Sequence, residues 1–367
     1  MSNHDRKDAG RFGSCLEHGA AHQHDHLRWT RRDFVLGLSA AGATLFLGKT
    51  PVQAFSQTPL LRALSELETD RVLVLIQMNG GNDGLNTIVP IESDVYYTNR
   101  PALAIEKSNT IGLTDDLGMH PSLSPLEPLF GDGKMSVVTN VGYESPNLSH
   151  FRSTDIWTSA SDSDDVVGTG WLGRMLDTSS PDFETSPPSH PLAVQIGGGS
   201  SMLFQGDQGN MGMSLLSTDL FERIAEGGTL YDTAAVPPTT YGEEIAFVRS
   251  VANSAFRYAD VIQQASEGVS NSVDYPANPL ADSLSIVARL IKGGLQSRIY
   301  LVALSGFDTH ANQLGVHAAL LEDLAESVQA FQSDLEADSD AERVLLMTFS
   351  EFGRRVQQNG SNGTDHG

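Results

Sequence analysis

The 367-residue sequence contains a single cysteine, Cys15, which lies in an N-terminal segment that we expect to be removed. The mature chain would then have no thiol at all. This excludes disulfide bonds, thiol nucleophiles and thiolate metal ligands from its chemistry. A metal site in this chain would therefore be built from carboxylate and imidazole groups.

Basic residues are also scarce, with 23 Lys and Arg against 46 Asp and Glu and a formal net charge of −23. Residues 1–54 hold seven of the basic and five of the acidic residues, so the remainder has 16 basic and 41 acidic residues. Such an acidic body is a poor partner for a phosphate backbone or an anionic lipid surface, and we expect no nucleic-acid partner. Metal ions could still reverse the local field for an anionic substrate.

The apolar stretch near the N-terminus, Phe34–Leu47, is too short to span a bilayer comfortably. It follows the pair Arg31 and Arg32, and Val52-Gln53-Ala54 resembles a small-residue cleavage site. A twin-arginine pair, an apolar core and a cleavage site in this order predict that residues 1–54 are a twin-arginine signal peptide. An N-terminal membrane anchor or a core helix is the alternative.

The leader sets the expected location and one expected partner. Twin-arginine export carries folded proteins, so the chain would pass through the twin-arginine export machinery after it takes up its metal. We expect the mature domain, residues 55–367, to act in the periplasm or outside the cell, with no stable membrane span after cleavage. The chain stops at Gly367 directly after a polar loop, which predicts that the C-terminal part of this domain is missing.

Short apolar runs with the length of buried strands alternate with segments of helical periodicity. The predicted strands are Arg71–Met78, Lys134–Val141, Leu192–Ile196, Ser297–Leu304 and Val344–Phe349. The predicted helices include His150–Ser159, Trp171–Leu176, Tyr241–Glu267, Leu280–Ile291 and Asn312–Leu335. This alternation predicts an α/β fold with a mostly parallel central sheet flanked by helices.

Polar, metal-ligating residues follow several of these strands. Asp83 follows the first strand, and Asp308 and His310 follow the fourth, where their spacing of two places both side chains on one side of extended backbone. The last strand leads into Glu351. In open α/β sheets ligands bind beyond the carboxyl ends of the strands. For Asp83 alone, a loop-capping Asx turn is the alternative.

A metal site at this edge would include the Asp-His pair near the end of the chain. The predicted ligands are Asp83, Asp308, His310, Glu351, Asp365 and His366. Carboxylate and imidazole donors suit one or two divalent ions of zinc, manganese, magnesium or calcium. Two such ions would clamp the attacking and leaving oxygens of a phosphate or sulfate ester.

Ser149 is the predicted nucleophile because a hydroxyl at the start of a helix faces the positive end of the helix dipole, which stabilises a developing alkoxide. The alternative is that Ser149 only caps the helix. His150 could itself be a ligand or a base. Arg152 or Arg354 would hold the anionic oxygens of the ester.

Seven ordered motifs resemble a known family. They are GGNDGLNTIVP, GMHP, PNLSHFRSTDIW, GWLGR, GFDTH, SEFGRR and TDHG. The family is the twin-arginine-exported bacterial family called domain of unknown function 1501. Its sequence pattern is similar to that of the alkaline phosphatase and sulfatase superfamily, in which a nucleophile and two metals sit at the strand ends of an α/β sandwich.

The resemblance implies roles for individual residues. Asp83 resembles the first-strand metal ligand, Ser149 the nucleophile, and Asp308 with His310 the Asp and His of the other metal. Glu351 stands where the superfamily usually has Asp-His, and His366 resembles the late loop His. Phe352 stands where a His is expected, which implies that one metal is weak or absent.

These observations together predict an exported metal-dependent hydrolase of phosphate or sulfate esters, acting on small molecules or polymers. A non-catalytic exported binding protein that keeps the fold is the main alternative. A transferase that resembles a phosphomutase is a third possibility, which the sequence does not separate from a hydrolase.

Overall fold

The computed structural model describes residues 70–183, 185–215 and 230–367. The predicted signal peptide and the first residues of the predicted mature domain lie outside the described residues. No helix within the described ranges combines the length and the apolar character that crossing a membrane requires.

The elements follow one another in an irregular alternation of strands and helices. The strands are β1 Val72–Asn79, β2 Ile88–Pro90, β3 Ile111–Gly112, β4 Leu117–Met119, β5 Ala193–Ile196, β6 Gln205–Gly206, β7 Gly209–Asn210, β8 Gly212–Leu215, β9 Ile299–Ser305, β10 Val344–Phe349, β11 Arg354–Gln358 and β12 Thr364–His366. The α-helices are α1 Gly84–Thr87, α2 Asp94–Asn99, α3 Glu127–Gly131, α4 His150–Ser159, α5 Trp171–Ser179, α6 Thr240–Ser266, α7 Pro279–Lys292 and α8 Gln313–Ala337. Short 3₁₀ turns cover Lys107–Asn109, Pro121–Leu126, Met202–Phe204 and Ala341–Arg343.

The centre of the fold is a parallel sheet of five strands in the order β10, β1, β9, β5, β8. In β1, Val74 pairs with Tyr300 of β9 on one side and with Leu346 of β10 on the other. The α/β prediction and the mostly parallel sheet are therefore confirmed. The strand predicted at Val344–Phe349 and the helix predicted at His150–Ser159 have the predicted bounds.

Helices cover both faces of the sheet because successive residues of a strand point to opposite sides. Val74 and Ile76 of β1 pack with the apolar faces of α6, α7 and α8 on one side. Leu75 packs with Leu172 and Leu176 of α5 on the other side. Each such side chain is almost fully buried, which stabilises the fold by about 1.5–3 kcal/mol per residue.

The strand predicted at Lys134–Val141 is wrong. These residues form irregular, largely exposed chain, with Val138 58% exposed. Asn140 has a φ of +60°, which lies outside the extended region of a strand, and β1 already has its two neighbours in β9 and β10. The fifth strand is instead β8, which begins at the end of the Gly-rich stretch 197–212 that the sequence pattern assigned to a surface insertion or an active-site rim.

A buried histidine lies beneath the strand ends. His317 of α8 is 1% exposed, and its Nε2 lies 2.9 Å from Asn82 Oδ1. Its ring packs edge-on against Phe307 and His120. Burial disfavours the charged imidazolium and lowers the pKa of His317 to about 4.

We expect His317 to make stability depend on pH between about 6.5 and 4. In the unfolded chain an imidazole binds its proton near pH 6.5, whereas folded His317 binds it only near pH 4. Its contribution is therefore complete above pH 6.5 and is lost as the pH falls towards 4, by about 3 kcal/mol in total. Denaturant unfolding at several pH values should show a shallower decline for His317→Gln, whereas parallel profiles for the two proteins would contradict this assignment.

Candidate metal centre

The carboxyl ends of β1, β9 and β10 lie side by side, as parallel pairing requires. Asp308 follows β9 and Glu351 follows β10, so both reach the same edge of the sheet. The N-terminus of α4 brings His150 to this edge, and β12 brings His366. The structure therefore brings together residues that are more than 200 positions apart in the chain.

Three imidazole rings lie close to a single carboxylate oxygen, Oδ1 of Asp308. Asp308 Oδ1 lies 3.0 Å from His310 Nε2, 3.1 Å from His366 Nε2 and 3.5 Å from His150 Nε2. The Nε2 atoms of His310 and His366 are themselves 3.0 Å apart. The three rings thus present the same nitrogen to one small volume.

Hydrogen bonds at the opposite ring nitrogens fix the tautomers of two of these rings. His366 Nδ1 lies 2.8 Å from the carbonyl oxygen of Leu148, which can only accept, so this nitrogen carries the proton. His150 Nδ1 lies 2.8 Å from Glu351 Oε1, which also accepts the N–H of Gly80 at 2.8 Å. In their neutral forms both rings therefore have unprotonated Nε2 atoms that face Asp308.

Two imidazole nitrogens that face each other at 3.0 Å need a proton or a metal ion between them. A proton on His310 would satisfy one nitrogen pair, whereas a divalent ion would satisfy several donors at once. Imidazoles and a carboxylate are donors that zinc and manganese accept. The residues present therefore fit a divalent ion held by His150, Asp308 and His366, whose ligand atoms all lie within 4.8 Å of one another, with His310 beside them.

Groups around these four residues orient them, as in most metal centres of this type. Glu351 is 3% exposed and its Oε1 bonds His150. Asp365 Oδ1 lies 3.6 Å from Nδ1 of His310. Gly80 donates to Glu351 with a φ of +120°, and a Cβ there would lie 2.3 Å from the Asp308 nitrogen, so only glycine fits.

Burial raises the pKa of the Asp308 carboxyl, but the hydrogen bond and the positive charge of Arg354 outweigh it and hold that pKa below its usual range. Arg354 Nη2 lies 2.7 Å from Asp308 Oδ1. The remaining N–H groups of Arg354 bond backbone oxygens of Gly80, Gly81, Phe307 and Thr364. Arg354 thus ties the strand-end loops to each other. In its predicted role of holding an ester, the ester would compete with these protein acceptors for the N–H groups of Arg354.

Asp83, predicted as a metal ligand, lies in a different setting. It is fully buried and forms a two-point ion pair with Arg100, with distances of 2.5 Å and 3.0 Å. Its Oδ2 also accepts a bond from Gln313. The described structure does not bring Asp83 into contact with His150, His310 or His366.

The predicted nucleophile and the second predicted anion clamp lie at the start of α4. Ser149 is exposed and its hydroxyl makes no capping hydrogen bond to the helix. Arg152 donates to the carbonyl oxygens of Ser163 and Asp165 in the following loop. An open cleft of about 410 Å³ runs beside α4, and Ser149 is not among the residues that line it.

Sequence patterns gave no indication of three groups that complete this region. They are Arg100, the carbonyl of Leu148 and Gln313, and they act on residues far away in the chain. A lone arginine in a polar segment and a backbone oxygen carry no spacing signal. Arg100, which follows a short helix and precedes Pro101, is distinguished only by its burial in the folded structure.

Residues 70–367 match the family model described as "Protein of unknown function (DUF1501)". No curated protein and no solved structure matches the chain. The match covers every residue of the metal centre described above.

We expect Glu351→Gln to weaken binding of Zn²⁺ or Co²⁺ by about tenfold or more, because the replacement removes the charge that strengthens the Nδ1–H bond of His150. Titration calorimetry would measure the affinity. Asp365→Asn is the matched control: Asp365 is exposed and lies farther from its histidine, so the effect should be smaller. Equal affinities for wild type and Glu351→Gln would contradict this role of Glu351.

Proposed function

The chain belongs to the DUF1501 family, whose function is unknown, and we propose that it is a metal-dependent hydrolase of phosphate or sulfate esters. The observation that carries the proposal is the convergence of three Nε2 atoms on the ionised carboxylate of Asp308. A bound divalent ion would supply Lewis-acid polarisation of the ester and would neutralise charge that develops on its oxygens.

The charges around the cleft support a requirement for the ion. Asp155, Asp308 and Glu351 line the cleft, and the chain as a whole is strongly acidic. An anionic ester would be repelled by these carboxylates alone. A divalent cation beside Asp308 reverses the local field, so ester binding should depend on the metal.

Ser149 is the proposed nucleophile. Its hydroxyl is exposed at the positive end of α4, next to His150, and makes no capping bond that would occupy it. In the first step the bond from Ser149 Oγ to phosphorus or sulfur forms while the ester bond to the leaving alcohol breaks. The hydroxyl proton passes through solvent to the departing oxygen, and water then releases the serine and the inorganic anion.

A second candidate function is metal-dependent binding without catalysis. Two observations favour it. Ser149 does not line the cleft, and the centroid of the Phe352 ring lies 4.9 Å from that of His150 and 4.4 Å from that of His366. A phenyl ring in this position offers no ligand atom, so it cannot help to hold a second ion. Ester binding that needs the metal but yields no product would support this candidate.

The resemblance to the alkaline phosphatase and sulfatase superfamily extends the proposal to the details of the fold and to location. The parallel sheet with helices on both faces is compatible with an alkaline phosphatase-like sandwich.

Export through the twin-arginine machinery follows from Arg31 and Arg32. Replacement of both by lysine should trap the precursor in the cytoplasm, and normal export of that variant would contradict the assignment.

We expect Ser149→Ala to lower the kcat for ester hydrolysis by at least about a thousandfold while metal content is unchanged. Nitrophenyl phosphate, nitrophenyl sulfate and a phosphodiester, each assayed with several divalent ions, would measure this with the full chain. Ser283→Ala is the matched control because its hydroxyl only bonds Pro279 in its own helix. Unchanged turnover in Ser149→Ala would exclude Ser149 as nucleophile, and no turnover of any ester by the metal-loaded wild type would exclude the hydrolase.

A further inference from the structure

The hairpin formed by β11 and β12, which carries His366, accepts backbone hydrogen bonds from a buried arginine, Arg100. Arg100 is fully buried, and its Nε donates to the carbonyl of Val356 at 2.8 Å. Its Nη2 donates to the carbonyl of Arg355, also at 2.8 Å. Both carbonyls belong to β11, which pairs with β12, and His366 is the last residue of β12.

Every N–H group of Arg100 has an acceptor. Nη1 donates to Asp83 Oδ2 and to Asn86 Oδ1, and Nη2 donates to Asp83 Oδ1 as well as to the hairpin. The planar guanidinium therefore joins the loop after β1 to the hairpin in one fixed geometry. A lysine in this position would keep the charge, but it has one nitrogen and could not span these acceptors.

A second connection also leads from Asp83 to the hairpin. Gln313, at the start of α8, donates to Asp83 Oδ2. Its Oε1 accepts the hydroxyl proton of Thr364, the first residue of β12, at 2.7 Å. Asp83 thus sits between two side chains that each bond the strand pair carrying His366.

We infer that Asp83 and Arg100 are positioning residues that set the place of His366 in the metal centre. The inference rests on the proposed metal centre and gives Asp83 a role other than ligand. Its two oxygens orient Arg100 and Gln313, and these two side chains fix the backbone of β11 and β12. The Nδ1 bond of His366 to the carbonyl of Leu148 and the contact of its ring with Phe352 then set the orientation of the imidazole.

A double-mutant cycle with Co²⁺ as the probe tests this role. In the wild-type background Arg100→Lys should weaken Co²⁺ binding by about 10- to 100-fold. In the His366→Ala background the same replacement should change the affinity by no more than about twofold, because the ligand that Arg100 positions is already absent. The visible absorption of bound Co²⁺ should change in the same way in Arg100→Lys and in His366→Ala.

Asp334→Asn is the control for general destabilisation. Asp334 is a fully buried carboxylate that bonds Lys292, Asn271 and Tyr275, about 30 Å along α8 from Gln313. Loss of its charge should lower the denaturant concentration at the midpoint of unfolding and leave Co²⁺ affinity unchanged. Thr364→Val, which removes only the bond to Gln313, is a milder replacement that should weaken Co²⁺ binding even if Arg100→Lys does not fold.

The outcomes separate the two claims. A wild-type protein that binds no Co²⁺ would overturn the proposed metal centre itself. Wild-type binding with unchanged affinity in Arg100→Lys and Thr364→Val would overturn the positioning role alone. Equal losses from Arg100→Lys in both backgrounds would also overturn it, since an effect independent of His366 reflects general destabilisation.

Discussion

The hydrogen bonds at the Nδ1 atoms of His150 and His366 are the interactions on which the candidate site depends. A backbone carbonyl and a buried carboxylate hold these protons, so the Nε2 lone pairs must face inwards. They face the Asp308 carboxyl, whose pKa the guanidinium of Arg354 holds below its usual range. An arrangement of unprotonated nitrogens around an anionic oxygen is stable as a site for a cation and is otherwise unfavourable.

The fold provides this geometry through the parallel sheet. Parallel strands deliver their carboxyl ends to one edge, which places Gly80, Asp308 and Glu351 within hydrogen-bonding range of shared partners. Buried Arg354 and Arg100 then tie these loops and the final hairpin together through backbone oxygens. These hydrogen bonds hold the strand-end loops that carry Asp308 and His310 in place, and such support is what holds a metal centre at its working distances.

Local signals in the sequence were sufficient for part of this description. The spacing of Asp308 and His310 after an apolar strand predicted that both side chains lie at the candidate site. The expected parallel topology predicted that the ligands meet at the edge formed by the carboxyl ends of the strands. The strand assigned to Lys134–Val141 was wrong because the run is largely exposed and Asn140 has a positive φ, and its apolar composition indicates neither. The surroundings of Asp83 were out of reach because Arg100 and Gln313 approach it from distant segments, and such pairing leaves no periodic trace in the sequence.

Anomalous diffraction from crystals grown with Zn²⁺ tests the central claim most directly. The account predicts one strong anomalous peak among His150, Asp308 and His366, beside His310, at about 2.0–2.2 Å from the Nε2 atoms of His150 and His366 and from the Asp308 oxygen. Absence of a peak at this position, in protein that is folded and saturated with zinc, would contradict it. So would a peak bonded to Asp83 in place of these histidines.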